Sequence, residues 1–451
     1  MISISPIMPR PGFTMAEIKP IHALMYAGRD QGDVSDLIAP PYDVLDETAK
    51  GRLLQRSQHN IVAVDLPHLP PKTVGPDAAY DGAGRQLRQW IDGGEMQATP
   101  RPTLFAYRQT FKASGRTWRR SGLIGNVPIQ PLPEPGAGRP GPGAIHPHEQ
   151  TFRAPKEDRL KLMQATGVQL SPVFGMFRDE TGGMGRILGE TIASAPPVMQ
   201  GTTDHDGVLH ELWTCREPNT AAEFGDRDIY IADGHHRYTT AVRYMAEHAA
   251  VSGRDPAGCC MFVLVPMEDP GMIILPTHRV LGGLSGFTVE RLGEAAAGLL
   301  SITPFDGEDP AALERALPGA GPHALGFYYG SDRSPAMAIA TPVSHDPLSE
   351  THGDRSEAWR HLDVAIVQYL LVDRICRPRF TPDHEVTWHF PHALDEVVAM
   401  TDEATDRLGV VCQATPMEAV RRVSDAGELM PPKSTFFYPK LATGMVLNPL
   451  E

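Results

Sequence analysis

Glycine and proline together supply 86 of the 451 residues, 43 of each, or about one in five. Proline removes an amide donor and fixes φ, and glycine loosens the backbone, so that density excludes long uninterrupted helices and coiled coils. A chain punctuated in this way folds as short elements joined by many turns and some long loops. The segment 131–144, PLPEPGAGRPGPGA, has nine Gly or Pro in fourteen positions and reads as a loop.

Apolar residues at 41 % supply a core, and the length predicts two or three domains with no need for disulfide or metal staples. Cys215, Cys259, Cys260, Cys376 and Cys412 show neither a disulfide framework nor a C-x-x-C metal spacing, which fits a reducing cytoplasm. The start, MISISPIMPRPGF, has no signal-peptide pattern, and no apolar run reaches membrane-spanning length, so a cytoplasmic protein without membrane contact is expected. The formal charge is −14. Nucleic acid is disfavoured as a partner, since binding it requires a basic field that neutralises phosphates.

Residues 38–56 read as a Pro-Pro turn leading into a helix capped by Asp46, and Ala78 to Gly93 as a helix with Tyr80, Leu87 and Trp90 on one face. PTLFAYRQTF and TWRRSGLIGNVPI form a strand pair turning at Ser114-Gly115. A helix starts near Pro155, and LSPVFGMFRD, HELWTC and the segment around Asp228 to Ala232 are strands. The continuous apolar run CCMFVLVPM reads as a buried strand, followed by the strand-like MIILPTHRV. Beyond Gly282 come the helices FTVERLGEAAAGLL, DPAALERALPG and HLDVAIVQYLLVDRI, the strands ALGFYYG and AMAIA, and a tail of strand, helix and polar-aromatic loop. The expected domains are an N-terminal α/β part over 16–130, a central domain over 145–282, and a C-terminal α/β domain over 283–451 whose tail returns to the cleft.

Four polar clusters carry the chemistry. In IADGHHRYTTA (231–241) an apolar strand ends at Asp233, Gly234 permits a sharp turn, and a helix begins with unpaired N–H groups beside Arg237. Such a junction suits a phosphate, with Asp233, His235 or His236 placed to hold a metal or move a proton. The plain alternative is that Asp233 caps the helix and the histidines fill polar gaps. HPHEQTFRAPKEDR (146–159) gathers His146, His148, Glu149, Lys156, Asp158 and Arg159 around one loop and a first helical turn, as either a catalytic loop or a solvated charged face. APPYDV (39–44) fixes Tyr42 and Asp43 on a rigid turn, which projects them as functional groups or tucks Tyr42 into the core. MPPKSTFFYPK (430–440) offers Lys433, Ser434, Thr435, Tyr438 and Lys440 to an anion, or serves as a packed strap with exposed lysines. It lacks the glycines of a Walker loop. Two smaller groups are His278 and Arg279 in PTHRV, and Asp204, His205 and Asp206 in a segment that also reads as a hairpin turn. No G-x-S-x-G elbow or dinucleotide-binding glycine fingerprint is present.

These blocks, with LSPVF and LPTHR and in this order, resemble the bacterial and archaeal family known as domain of unknown function 1015, over about residues 16 to 448. The D-G-H-H-R block is also similar to the signature of the ParB and sulfiredoxin-like superfamily, in which such a segment at a helix start holds nucleotide phosphate. That superfamily includes nucleotide-dependent DNA clamps, sulfinic-acid reductases and kinases for free serine. The carry-over covers Asp233, Gly234, His236 and Arg237; no cysteine lies in the block, which argues against reductase chemistry.

The expectation is an α/β, mixed-sheet multidomain protein with a ParB/sulfiredoxin-like nucleotide-binding element, its four clusters meeting in one cleft. The leading function is phosphoryl transfer from ATP or ADP to a hydroxy amino acid such as serine, which the resemblance alone names. Asp43, Glu149, Asp233 and His236 are the candidate catalytic residues, with His236 or Asp43 handling the hydroxyl proton. Gly234, His235 and Arg237 hold phosphate, Asp233 and Glu149 hold Mg²⁺, and Lys156, Arg159, Lys433, Ser434 and Lys440 surround the nucleotide and the transferring group. The alternatives are a metal-dependent phosphomonoesterase acting on phosphoserine-like substrates and a nucleotide-responsive ParB-like binding protein. The partner is a small phosphorylated or hydroxylated metabolite, and a homodimer stays open.

Overall fold

A computed structural model describes residues 17–27, 32–132, 143–216, 219–307, 309–333 and 336–451. The protein start and most of the Gly/Pro loop at 131–144 lie outside them. The Pro-Pro turn runs into the helix Glu47–Arg56, whose N-cap Asp46 accepts from the Ala49 amide. The helix Asp77–Asp92 buries Tyr80, Leu87 and Trp90.

The fold is mixed α/β, organised on a large mixed sheet. The pair Leu104–Ala113 and Arg116–Pro128 is antiparallel, with Ser114 and Gly115 both at positive φ in the turn. In spatial order the sheet runs Ile145–His146, Ile229–Asp233, Val173–Phe177, Cys259–Pro266, Arg116–Pro128, Leu104–Ala113, Leu209–Cys215 and Met199–Thr202. Only Ile145–His146 with Ile229–Asp233, and Val173–Phe177 with Cys259–Pro266, pair in parallel. Cys259–Pro266 is buried along its whole length, as its apolar run requires of a central strand. Because the sheet takes strands from both 104–128 and 145–266, the break expected between 130 and 145 falls inside one sheet.

A second, fully antiparallel sheet orders Leu300–Pro304, Met337–Pro342, Leu325–Tyr328, Leu408–Val411, Arg279–Gly282 and Thr387–His389. Its strand Arg279–Gly282 belongs here rather than with the preceding part of the chain. The apolar segment HLDVAIVQYLLVDRI forms a π-helix over Ile366–Cys376. FTVERLGEAAAGLL divides into the helix Val289–Ala296 and the start of the strand Leu300–Pro304. One buried cluster joins residues of both sheets, from Phe174 and Val263 to Phe327 and Val410.

The tail expected as a loop contains a strand, Phe436–Tyr438, which pairs antiparallel with Ile273–Leu275. Two buried side chains fasten it to the large sheet. Gln109 donates Nε2 to the Lys440 carbonyl, and Arg120, 1 % exposed, donates to the Tyr438 and Pro439 carbonyls and to Gln109 Oε1. This strap carries residues more than 300 positions distant in sequence onto the sheet. Among the described residues no helix is long and apolar enough to cross a membrane.

Candidate functional site

The strand Ile229–Asp233 shifts register at its end, and Gly234, at φ 93°, turns the chain into the helix His235–Glu247. A Cβ at Gly234 would lie 3.0 Å from Arg237 Nε, so this position needs glycine both for its φ and for the approach of the guanidinium. No side chain caps the first helical turn, and no acidic residue sits in it. Its amides therefore remain anion-seeking.

Asp233 stands at the mouth of that turn. Its Oδ1 is 2.6 Å from Lys440 Nζ, and its Oδ2 accepts from Arg237 Nη2 at 2.6 Å. Burial opposes ionisation of this carboxyl, but the two cations outweigh it and hold its pKa well below the usual range. Arg237 also donates to the Pro172 carbonyl, so its guanidinium turns inward and braces Asp233. Its expected role as an open phosphate clamp does not match this arrangement.

The loop 146–152 lies over the same turn. The His148 amide donates to His235 Nε2 at 3.2 Å, and the Phe152 amide donates to His236 Nε2 at 2.9 Å. Both Nε2 atoms are thereby acceptors, which leaves the ring proton on Nδ1 in the neutral tautomers. Burial lowers the His236 pKa to about 4 despite the nearby Asp43, and drives that of His235 well below its ordinary value. His236 is thus a neutral donor, and the expectation that it takes up the hydroxyl proton is replaced on that ground. Glu149 Oε2 is 3.9 Å from His235 Nδ1. Burial raises the Glu149 pKa, against the pull of Lys433 and Lys440.

The strap closes another side. Met430 donates its amide to the His148 carbonyl at 2.8 Å, and His148 Nε2 lies 3.0 Å from Thr435 Oγ1. Lys433 is exposed at left-handed φ 60°, and its carbonyl accepts from Arg279 Nη2. From the N-terminal side comes Asp43, 3.8 Å from Lys72 Nζ. The charges of Asp43, Lys72 and Lys156 all act on His236, and those of Lys433, Lys440, Asp43 and Asp233 on Glu149. The four segments near 43, 149, 233 and 433 thus share one electrostatic neighbourhood.

Several residues singled out from the sequence are placed elsewhere. Arg159 is 6 % exposed, paired with Asp158 and Asp65 and stacked 3.9 Å over the Tyr42 ring. Asp158 also accepts from Tyr80 and lies 2.7 Å from His68, so this buried network joins the N-terminal helices to the helix Arg153–Thr166. Ser434 is buried with its hydroxyl on the Pro431 carbonyl. His146 is stacked on Tyr230, away from Glu149's partners. His278 is buried, its Nδ1 accepting from the Cys412 amide, and directly precedes the strand Arg279–Gly282 of the second sheet. Asp204 to Asp206 form the turn between the strands Met199–Thr202 and Leu209–Cys215.

Lys72 was missed from the sequence, although a signal for it exists. Pro70-Pro71-Lys72 repeats the Pro431-Pro432-Lys433 pattern, and both lysines have left-handed backbones. His392, stacked 3.7 Å on Phe436 and close to the Lys433 and Lys440 charges, has no such signal.

For Mg²⁺, the donor set does not fit as a resident site. Both Asp233 oxygens already face cations, and among the described residues no group of three or more His, Cys, Asp or Glu could hold a metal ion.

A family model described as protein of unknown function (DUF1015) matches residues 18–365. No curated protein matches the chain. Among solved structures, similarity extends to a variant of a free serine kinase in complex with AMP, at 13 % identity and TM-score 0.33, covering 67 % of this chain and 89 % of that one. A conserved hypothetical protein from Pyrococcus furiosus follows at 14 % identity and TM-score 0.31, covering 67 % and 92 % of the two chains. SbnI with a C-terminal truncation, from Staphylococcus aureus, shares 11 % identity at TM-score 0.32, covering 72 % and 81 %. Likenesses at these TM-scores carry no argument about chemistry.

Proposed function

Because the chain belongs to the DUF1015 family of proteins of unknown function, we propose its activity from the site itself: a small-molecule phosphotransferase that moves a phosphoryl group from a nucleotide to a hydroxy amino acid such as serine. One observation carries this reading, the meeting of Glu149 and Asp233 with an uncapped helix N-terminus and with lysines from distant parts of the chain. Serine is named through the likeness of the D-G-H-H-R block to a superfamily that includes kinases for free serine.

The first-turn amides after Gly234 receive phosphate oxygens, and Lys156 and Lys433, whose charges act on His236 and Glu149, offset the charge spread over the transferring group. Asp233 keeps Lys440 and Arg237 in place. Of the two carboxylates central to the site, Glu149 is the one without a cation bonded to it, and its raised pKa brings it toward the operating pH. It takes the acceptor hydroxyl proton as that oxygen attacks the terminal phosphorus; the bond to the leaving phosphate oxygen breaks, and the nucleotide departs one phosphate shorter. Mg²⁺ enters as part of the nucleotide substrate, and no step is assigned to a resident metal.

The test is to incubate the full chain with Mg²⁺, L-serine and ATP or ADP, and separately with O-phosphoserine alone, following phosphorus species by NMR. Phosphoserine formed only with nucleotide supports the reading. Phosphate released from phosphoserine without nucleotide replaces it with phosphomonoester hydrolysis, and silence in both arms overturns it.

A further inference from the structure

Beside the cleft lies a partly open pocket, about 410 Å³ of empty space with its open mouth included, where residues of three segments singled out from the sequence meet: 39–44, 204–206 and 430–440. Pro40, Pro41 and Val44, which bracket Asp43, form one wall, and Phe436, Leu441 and Ala442 form another. Its polar groups are few: Thr203, His205, Asp206, Tyr438 and Lys440. Apolar walls with a small number of placed polar groups are the usual make-up of a small-molecule site.

The charges in this lining are of both signs. Lys440 lies on the side of the cleft, its Nζ on Asp233 and 5.4 Å from the centre of the Phe436 ring. Asp206 lies on the hairpin turn, half-buried. Its Oδ1 accepts from Thr203 Oγ1 and from the Val208 amide. These bonds are both to Oδ1 and hold the carboxylate in the lining of the pocket, and its charge bears on the Tyr438 phenol. A cation and an anion thus line one space, together with the rings of Phe436 and Tyr438.

We propose that this pocket is the acceptor subsite and that it recognises a zwitterionic amino-acid head, with the ammonium on Asp206 and the carboxylate toward Lys440. The inference rests on the phosphotransferase reading only for the word acceptor; the recognition of a zwitterion stands on the pocket. Charged hydrogen bonds of this kind favour the correct ligand by a factor of ten or more.

The experiment compares two probes on two proteins. L-serine and 3-hydroxypropionate, which differ by the ammonium, are titrated into the full chain and into D206N, with affinity read by ligand-observed NMR. The asparagine keeps an Oδ1 acceptor for Thr203 and Val208, and circular dichroism and urea unfolding check that the turn survives. The wild type is expected to bind L-serine at least tenfold more tightly than 3-hydroxypropionate, and D206N to lose most of that ratio. An equal ratio in both proteins overturns the proposal, as does failure of the wild type to bind either probe. Should D206N fail to fold, D206E on the same two probes takes its place, with the ratio again expected to fall. Absence of turnover alongside a ratio that depends on Asp206 would refute phosphoryl transfer while leaving the subsite standing.

Discussion

At the scale of single residues, the site separates groups that look equivalent in the sequence. Asp233 and Glu149 are both carboxylates, yet Asp233 is locked between Lys440 and Arg237 while Glu149 lies 3.9 Å from a neutral histidine N–H. The two pKa values are driven apart accordingly, one down and one up, which is how acid and base roles are divided between like groups. Replacing Glu149 with Gln should reduce kcat by about 10² to 10⁴, the usual range for removing a general base, with nucleotide affinity changed little. The base acts ionised, so kcat of the wild type should rise with pH up to the raised pKa of Glu149 and then level off; the E149Q profile should lose that limb. A pH–rate series on both proteins checks this, and a flat wild-type profile would move the base to Asp43. The sequence showed which residues are polar and which segments hold them. It did not show that Arg159 and Arg237 turn inward, because the partners that draw them in, Asp65 and the Pro172 carbonyl, lie on other elements.

At the scale of elements, local signals are legible in the sequence, and pairings between segments distant along the chain are not. The Asp46 cap, the Ser114-Gly115 turn and the strand-to-helix junction at Gly234 all rest on backbone chemistry within a few residues. The strap at 430–440 depends instead on Arg120 and Gln109, buried in strands that read as ordinary alternation. Arg120 is fully enclosed, lies 4.5 Å over the Phe174 ring, and has its pKa lowered to about 10 by burial. Replacing it with Met keeps an unbranched apolar stem and removes the bonds to the Tyr438 and Pro439 carbonyls. R120M should therefore stay folded but loosen the strap, so that proteolysis near 430–440 accelerates and nucleotide binding weakens with Lys433 and Lys440 displaced. Unchanged proteolysis would mean that the pairing of Phe436–Tyr438 with Ile273–Leu275 holds the strap by itself. Gly234→Ala tests the junction in the same way. A left-handed alanine costs about 1–2 kcal/mol, and its Cβ would crowd the Arg237 guanidinium, so loss of stability and release of Asp233 should appear together in urea unfolding and nucleotide titrations.

At the scale of the whole molecule, the unifying feature is how many histidines are buried and neutral. His148 and His235 lie under the strap, His210 bonds to Tyr107 and Thr203 inside the large sheet, and His278 directly precedes a strand of the second sheet. Burial lowers the pKa values of His148 and His278 to about 4 and of His210 to about 3, from 6.5 in an open chain. Between pH 6.5 and 4 the unfolded chain therefore binds protons that the folded chain refuses, and stability must fall as the pH falls through that window. At pH 5 each such histidine withdraws about 2 kcal/mol by this linkage. Glu149, Asp269 and Glu314, whose pKa values burial raises, offset part of it, because they take up protons more readily when folded. Asp233 adds to the loss only below its ordinary range, since its depressed pKa contributes stability that persists until the carboxyl protonates. The urea midpoint should accordingly be lower at pH 5 than at pH 7.5, without a change in slope. In His210→Gln, which retains hydrogen-bonding atoms and cannot titrate, the difference between the two pH values should shrink by roughly one histidine's share. A difference left unchanged in His210→Gln would overturn the assignment of that ring as neutral in the folded chain.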